Sequence, residues 1–374
     1  MTYTPTLRQA IGEVRRNLES IGVTRQSPRL REHGDHTPEP DAPLVLVACS
    51  GGRDSLALAS VAATVCGTLG VRCGAVIVDH ALIAGSANVA AEAAERCRGF
   101  GMEPVVVRRV VVRPTGAGTE ADARSVRYQA LIDAAKAHGA ATVLLAHTRD
   151  DQAETVLLGL LRTVGLDALA GMPASITRDG VLFSRPFLAL TRAQTTEICE
   201  SRGITWWDDP TNGDLADEGG LSTDLPLRSR IRQALLPYLV HLTDADTVGH
   251  LARSAQFAQR DKDYLDSQAD RLYRRSVTFN DDDGKTRDAG RSGHWLARID
   301  ARELAGQHPA MRSRVIARTL AACGAGTSSR HVDAIDALVA DWHGQGAVRL
   351  SSSHSAFRQG HVILVCHDRV HENR

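Results

Sequence analysis

Six consecutive residues, Ser50-Gly51-Gly52-Arg53-Asp54-Ser55, carry the clearest chemistry in this chain of 374 residues. An apolar run, Leu44-Val45-Leu46-Val47-Ala48, precedes them and Leu56-Ala57-Leu58-Ala59 follows, spelling a strand, a tight glycine turn and a helix start. Such a turn aims several backbone N–H groups and the positive end of a helix dipole at one point, which suits an anion such as a nucleotide phosphate. Asp54 adds a carboxylate beside that anion. A carboxylate repels a bare phosphate but holds Mg²⁺, which bridges protein and phosphate oxygens, so these residue types select a magnesium nucleotide. The lysine with which a Walker A loop grips the outer phosphates is missing. The same letters also fit an ordinary Gly-Gly-Asp turn after a buried strand, and the surrounding pattern decides between them.

The elements that must position this turn lie on both sides of it. Residues 7–22, with Leu7, Ile11, Val14, Leu18 and Ile21 on one face, read as an amphipathic helix, and the polar, proline-containing stretch from Gln26 to Pro43 reads as loop. From Leu44 onward strands at 45–48, 74–78, 105–112 and 142–146 alternate with helices running to Leu69 and over 87–100, 121–138 and 150–162. Continuous apolar strands in this rhythm predict an α/β fold, a parallel sheet with helices on both faces. Ligands in such sheets sit beyond the carboxyl ends of the strands, where Ser50, Asp79 and His147 all fall.

Farther along, the segment 181–186 precedes a helix at 191–202, and the Gly/Asp-rich stretch 212–227 carries little apolar material and is expected to be a mobile loop. A long helical pattern follows over 242–273, then a charged stretch at 280–293. Residues 311–323 and 331–342 read as two helices, with a short β-like end at 348–350 and 361–365. The boundary is set near residue 242, giving an N-terminal domain, 1–241, and a smaller, mainly helical C-terminal domain, 242–374.

Composition excludes several classes. With 43% hydrophobic and 24% charged residues the chain is globular. No run reaches the 18 or so apolar residues of a membrane span, and no basic and then apolar leader opens the sequence, so a soluble cytoplasmic protein is expected. The seven cysteines form no C-x-x-C pair, which argues against a zinc ribbon or an iron–sulfur cluster, and Cys49 beside the loop reads as packed rather than nucleophilic. Formal net charge is zero, but all basic residues other than Lys136, Lys262 and Lys285 are arginine, whose fork suits phosphate; biased codon usage would give the same skew.

The S-G-G-x-D-S pattern resembles the PP-loop pyrophosphatases, of adenine nucleotide alpha hydrolase-like fold, which split ATP between the α and β phosphates. Four further segments arrive in the order of one branch of that family. They are Asp79-His80 after the second strand, Glu120-Ala121-Asp122-Ala123-Arg124-Ser125-Val126-Arg127-Tyr128, Ala146-His147-Thr148-Arg149-Asp150-Asp151-Gln152-Ala153-Glu154-Thr155, and Asp208-Asp209-Pro210-Thr211-Asn212. A fifth, Arg228-Ser229-Arg230-Ile231-Arg232 before Leu236-Pro237, completes the likeness. Over most of its length the chain is similar to the tRNA(Ile)-lysidine synthetase family.

That resemblance implies an enzyme that converts the wobble cytidine of a CAU-anticodon isoleucine tRNA into lysidine, with ATP and free L-lysine as co-substrates and Mg²⁺ as the metal. The cytosine C2 oxygen attacks the α-phosphate, pyrophosphate leaves, and the lysine ε-amine then displaces AMP. A homodimer is also implied. Ser50, Gly51, Gly52, Arg53, Asp54, Ser55, Asp79, His80 and His147 become the nucleotide site, with the metal on Asp54. Arg124 becomes the catalytic cationic clamp, and Asp150 and Glu154, with Asp151 beside them, the carboxylate patch for the amine.

The residues themselves leave some roles open. Asp150 suits an N-cap as well as an ammonium site, and His147 a structural role as well as nucleotide or base contact. Arg127 shares a helical face with Arg124 and suits tRNA, as do Arg228, Arg230 and Arg232, whose alternation makes a local positive stripe unless they are simply a solvated helix start. Trp206 and Trp207 read as core.

Departures from the family pattern are Ala81 and Ile83, where glycine and arginine are common, and Thr163 within Arg162-Thr163-Val164-Gly165, where R-G-x-G is usual. The segment Trp342-His343-Gly344-Gln345-Gly346 looks like the family's first accessory domain, expected to bind tRNA; the second accessory domain of longer members is expected to be absent. A thiolase of the same fold would need cysteines to carry sulfur, commonly as C-x-x-C, and the intact Asp54 and glycines are poor evidence for a non-catalytic nucleotide- or RNA-binding protein.

Overall fold

In strand β1 (Leu44–Ala48) successive side chains leave on opposite sides, so Val45 and Val47 join one apolar cluster while Leu44 and Leu46 join another. A strand buried on both faces needs a layer of helices on each. The computed structural model, which describes residues 3–27, 37–81, 85–116, 118–208, 225–280, 295–351 and 353–367, supplies both layers. The chain forms two compact units, Met1–Gln259 and Arg260–Arg374.

In the first unit, helix α1 (Pro5–Ser20) starts where the Thr4 hydroxyl accepts the Leu7 N–H, with proline at its first turn. Then follow β1, α2 (Arg53–Leu69), β2 (Arg72–Asp79), α3 (Ser86–Gly99), β3 (Val105–Arg109), α4 (Thr119–His138), β4 (Ala140–Leu144) and α5 (Arg149–Arg162). After these come the short helix α6 (Leu166–Leu169), strands β5 (Ser175–Arg178) and β6 (Val181–Ser184), a 3-10 turn at Pro186–Ala189, and α7 (Arg192–Ser201). A continuous helical run closes the unit: α8 (Leu227–Arg230), a π-helical turn at Ile231–Leu235, and α9 (Leu236–Thr243).

The strand order is β3-β2-β1-β4-β6-β5. Strands β3, β2, β1, β4 and β6 run parallel, but β5 pairs antiparallel with β6, so the sheet is mixed rather than wholly parallel as the apolar runs predict. The cause is a hairpin turn at Asp179-Gly180, whose φ angles of +47° and +80° give a type I′-like bend. One face carries α1, α2, α3 and α7 over Val45, Val47, Ala75 and Ile77; the other carries α4, through Tyr128, Leu131 and Ala135, over Leu44, Leu46 and Val76.

The division between units falls inside α10 (Thr247–Ser276), which follows a left-handed break at Asp244. Val248 and Leu251, beyond the expected boundary at 242, pack with Ile231 and Leu236 of the first unit. The second unit is not mainly helical. Strands β7 (Val277–Phe279), β8 (Trp295–Asp300), β9 (Val348–Arg349), β10 (His354–Gln359) and β11 (Val362–His367) form an antiparallel sheet in the order β7-β8-β11-β10-β9. Helices α11 (Ala301–Ala305), α12 (Pro309–Ala322) and α13 (Ser329–Ala340) contribute Leu304, Val315, Ile316, Leu320 and Ile335 to a core shared with Ala297, Ile299, Ala356, Ile363 and Val365 of the strands. Arg312 forks the Asp336 carboxylate at 2.6 and 2.8 Å, tying α12 to α13.

Helix α5 ends with Thr163 in extended conformation, its hydroxyl donating to the Gly159 carbonyl at 3.0 Å, so the departure there needs no glycine. Ile83, residues 212–224 of the mobile loop expected at 212–227 and most of the charged stretch 280–293 lie outside the described residues, and Leu227, at the end of that expected loop, instead opens α8. Gly159 faces the α6 backbone, and a Cβ placed on it would lie 2.3 Å from the Ala168 oxygen. Gly159→Ala is therefore expected to destabilise the first unit by about 1–3 kcal/mol despite alanine's better helix propensity. Thermal unfolding checks this, and an unchanged or raised midpoint for that unit would contradict the close α5–α6 packing.

Candidate active site

The turn between β1 and α2 is shaped by its own side chains. The Ser55 hydroxyl donates to the Gly52 carbonyl (2.8 Å) and accepts the Ser50 N–H (3.1 Å), closing the turn on itself. Gly51 holds φ +83°, and a Cβ there would lie 3.2 Å from that of Ala93 on α3, so glycine is required by conformation and by space. Gly52 caps α2 without a side-chain acceptor, leaving first-turn N–H groups for a ligand. The Trp207 N–H donates to the Gly51 carbonyl (3.1 Å) and fastens the segment after α7 to the loop.

Asp54, in the first turn of α2, takes a short hydrogen bond from the Thr195 hydroxyl and lies 3.8 Å from Arg192 Nε and 3.9 Å from Arg53 Nε. Burial pushes its pKa above the usual carboxylate range, although Thr195 and Arg192 pull the other way. A single half-buried carboxylate at a helix N-terminus fits Mg²⁺, which takes one or two protein carboxylates and completes its shell with substrate phosphates and water. Among the described residues no group of three metal-ligating side chains would enclose a metal without substrate.

Around this turn lies a cavity of about 860 Å³, lined by Ser50, Gly52, Arg53, Asp54 and Ser55, by Asp79 and His80 at the end of β2, by His147 beyond β4, and by Arg127, Asp151, Arg192, Trp207 and Arg232. Asp79 accepts the Ala81 N–H (2.9 Å), and the Ser86 hydrogen bond and that backbone bond hold its pKa below the usual range. Ala81 sits at φ +53°, a left-handed conformation that costs an L-residue about 1–2 kcal/mol and explains why glycine suits this position. Both histidines bury an Nδ1 that meets no hydrogen-bond partner among the described residues. Burial lowers both pKa values, that of His147 to about 3, so each ring is neutral near pH 7 and presents an unused ring nitrogen.

The carboxylates of α5 have three different environments. Thr148 is the N-cap and Asp151 its capping-box partner, accepting the Thr148 N–H and hydroxyl at 2.8 Å each. Asp150 therefore does not cap its own helix; its carboxylate accepts the Arg192 N–H (2.9 Å) at the start of α7, and it does not line the cavity. Glu154 is fully buried and takes Nε–H bonds from Arg228 (2.8 Å) and Arg232 (2.6 Å) and a longer bond from the Arg192 Nη2 (3.4 Å). Burial alone would raise the pKa of Asp151, but Arg192 and Arg228 overcome it and hold it at about 2.

The arginine stripe is thereby split. Positions 228 and 232 lie one helical turn apart and both point into this cluster, whereas Arg230 lines a separate apolar groove with Leu161, Leu227 and Tyr238. Arg124 lies outside the cavity lining, 5.4 Å from the Tyr128 ring centroid. Trp206 packs against the core as expected, but Trp207 lines the cavity; Asp209 to Asn212 lie outside the described residues. Cys49 is buried, 3.6 Å from the Ser55 hydroxyl. Arg192 and Thr195 escape a reading by motif. One signal is present: arginine in the first turn of a capped helix opposes the helix dipole, so a carboxylate elsewhere has to hold it.

A family model described as "PP-loop domain" matches residues 27–239, and one described as "TilS substrate binding domain" matches 300–363. The chain is 50% identical over 389 residues to the tRNA(Ile)-lysidine synthase of Bifidobacterium longum subsp. infantis, with 100% of each covered. It is 50% identical over 379 residues to that of Bifidobacterium animalis subsp. lactis, covering 100% of this chain and 98% of the relative. For the Streptomyces coelicolor enzyme of the same name, identity is 41% over 339 residues, with 88% and 89% covered.

Two outcomes test the electrostatics. Glu154→Ala takes from Arg192, Arg228 and Arg232 their shared, fully buried acceptor and leaves them Asp151, and should destabilise the first unit by about 1.5–3 kcal/mol in denaturant titration; a loss below about 1 kcal/mol would mean the cluster is solvated. His147 is neutral in the folded chain down to about pH 3, while the unfolded chain takes up that proton near the ordinary histidine pKa of about 6.5. Its burial therefore costs nothing above that pH and increasingly destabilises the fold as pH falls from 6.5 toward 3. His147→Asn should make stability less steep between pH 6.5 and 4.5, by up to about 1.4 kcal/mol per pH unit. Parallel slopes for the two proteins would refute the neutral buried ring.

Proposed function

This chain belongs to the tRNA(Ile)-lysidine synthase family of ATP-dependent ligases, and on that premise we propose how its residues divide the reaction. The observation that carries the reading is one cavity in which a phosphate-binding turn, Asp54, two neutral histidines and the ionised Asp151 face one another. ATP lies with its phosphates on the N–H groups of the β1–α2 turn and the N-terminus of α2. Asp54 would hold Mg²⁺, which supplies charge neutralisation along the phosphates.

In the first step the C2 oxygen of the wobble cytidine forms a bond to the α-phosphorus as the bond to pyrophosphate breaks. In the second the ε-amine of lysine bonds to C2, loses a proton, and AMP departs with the oxygen. Negative charge gathers on the phosphates in step one. The loop amides are fixed there before reaction, and Arg127 on the cavity wall supplies the cationic contact. His80 and His147 present neutral ring nitrogens to nucleotide and base.

Asp151 is the α5 carboxylate on the cavity wall, and its very low pKa keeps it charged for the lysine ammonium. Glu154 and Asp150 act behind it: the first fixes Arg192 and Arg232, the second the N-terminus of α7. The second unit, which contains the substrate-binding match, contributes to holding the CAU-anticodon tRNA.

Incubation of the protein with ATP, Mg²⁺, lysine and CAU-anticodon tRNA, followed by nucleoside mass analysis, should give a lysine-sized gain on cytidine that requires every component. Asp54→Asn should cut pyrophosphate release roughly 100-fold or more while tRNA binding persists. Release of ADP and orthophosphate by the wild type would overturn the assignment.

A further inference from the structure

The first unit contains a second group of arginines that, among the described residues, stand within ion-pair distance of no carboxylate. Tyr128 on α4 is nearly buried, packed edge-on against Phe183 at 5.1 Å, and its hydroxyl accepts a hydrogen bond from Arg185. Over its ring lie Arg178, with its guanidinium carbon 4.3 Å from the centroid, and Arg124 at 5.4 Å. Among the described residues none of Arg124, Arg127, Arg178 and Arg185 forms an ion pair, in contrast to Arg192, Arg228 and Arg232.

Arg178 is an exposed residue on the edge strand β5, two positions after Ile176, and so shares the face on which Ile176 packs against the Tyr128 cluster. Stacking on an aromatic face fixes a guanidinium plane without using its N–H donors, which remain directed at a partner outside the ring. The wanted partner is an anion. It is not the nucleotide in the cavity, since neither Arg124 nor Arg178 lines that space; but Tyr128 and Arg127 do line it, so the cationic surface continues from the cavity wall outward. A ligand matching both is a polyanion that places one base in the cavity while its neighbouring phosphates stay outside.

We propose that Arg178, with Arg124, forms a phosphate-binding surface on the Tyr128 ring that grips the RNA backbone of the tRNA substrate. This rests on the reading that the cavity accepts a tRNA nucleobase. β5 thereby has a role besides closing the sheet: its exposed arginine presents charge to RNA.

The test is filter binding of CAU-anticodon tRNA across a potassium chloride series for wild type, Arg178→Ala and Arg178→Lys, with lysidine formation measured in parallel. Arg178→Ala should raise the tRNA Kd about 5- to 10-fold near physiological salt and lower the log Kd against log salt slope by about 0.7–0.9. Its KM values for ATP and lysine should be unchanged, and Arg178→Lys should recover most of the affinity. Because the side chain is exposed, the thermal midpoint should hold. An unaltered tRNA Kd and salt slope in Arg178→Ala, with wild type making lysidine, overturns the clamp alone; so does a raised KM for ATP in its place. No lysidine from wild type, with tRNA binding still lost in Arg178→Ala, overturns the reaction and leaves the RNA surface standing.

Discussion

Arg192 is the cation on which the active-site elements converge. Its side chain meets Asp54 from α2 and Asp151 and Glu154 from α5, while its backbone N–H is taken by Asp150. A fully buried carboxylate such as Glu154 is tolerable only when guanidinium groups satisfy it, and here Arg228 and Arg232 complete the set. Three carboxylates and three arginines therefore lock the start of α7, the first turns of α2 and α5, and the helical run from Leu227 into one arrangement. The loop proposed to bind phosphate and the carboxylate proposed to bind an amine cannot move independently. For a two-step reaction at one nucleobase this matters, because both co-substrates must meet the same C2 atom.

That lock also explains how a chain of zero net charge can serve an anionic partner. Arg192, Arg228 and Arg232 are neutralised internally and contribute to stability and positioning. The others, at 124, 127, 178 and 185, keep their charge beside an aromatic ring and a cavity wall. Net charge averages these two populations away, whereas local potential does not.

The glycine turn was legible because its chemistry is local. Strand, turn and helix start are contiguous, and Gly51 at positive φ is what such a turn demands. Charge partners three or four elements away were not. An alternating Arg-x-Arg-x-Arg reads as one stripe only if the segment is extended; wound into a helix, positions 228 and 232 turn inward and 230 does not. Asp150 and Asp151 are neighbours in sequence, yet one capping box sends them to different helices. The antiparallel edge was written in Asp179-Gly180, a hairpin dipeptide hidden by the short, polar strand before it. In the second unit, β8 alternates Trp295, Ala297 and Ile299 correctly, but its partner β11 lies far along the chain and β10 holds few apolar residues, so the helices dominated the pattern.

The position of the two histidines follows from the same parallel topology that makes the phosphate turn. Strands β1, β2 and β4 run side by side in one direction, so the residues just past their carboxyl ends, the Ser50 turn, His80 and His147, must arrive at one rim. There the strand ends and helix starts exclude enough water to keep both rings neutral. A protonated imidazole would compete with Mg²⁺ and with the lysine ammonium for the phosphates and for Asp151; a neutral one adds hydrogen-bonding capacity to the rim without adding charge. In the proposed division of roles, burial at the rim separates the tasks: charge recognition falls to Asp54, Asp151 and Arg127, and shape and hydrogen bonding to groups that carry none.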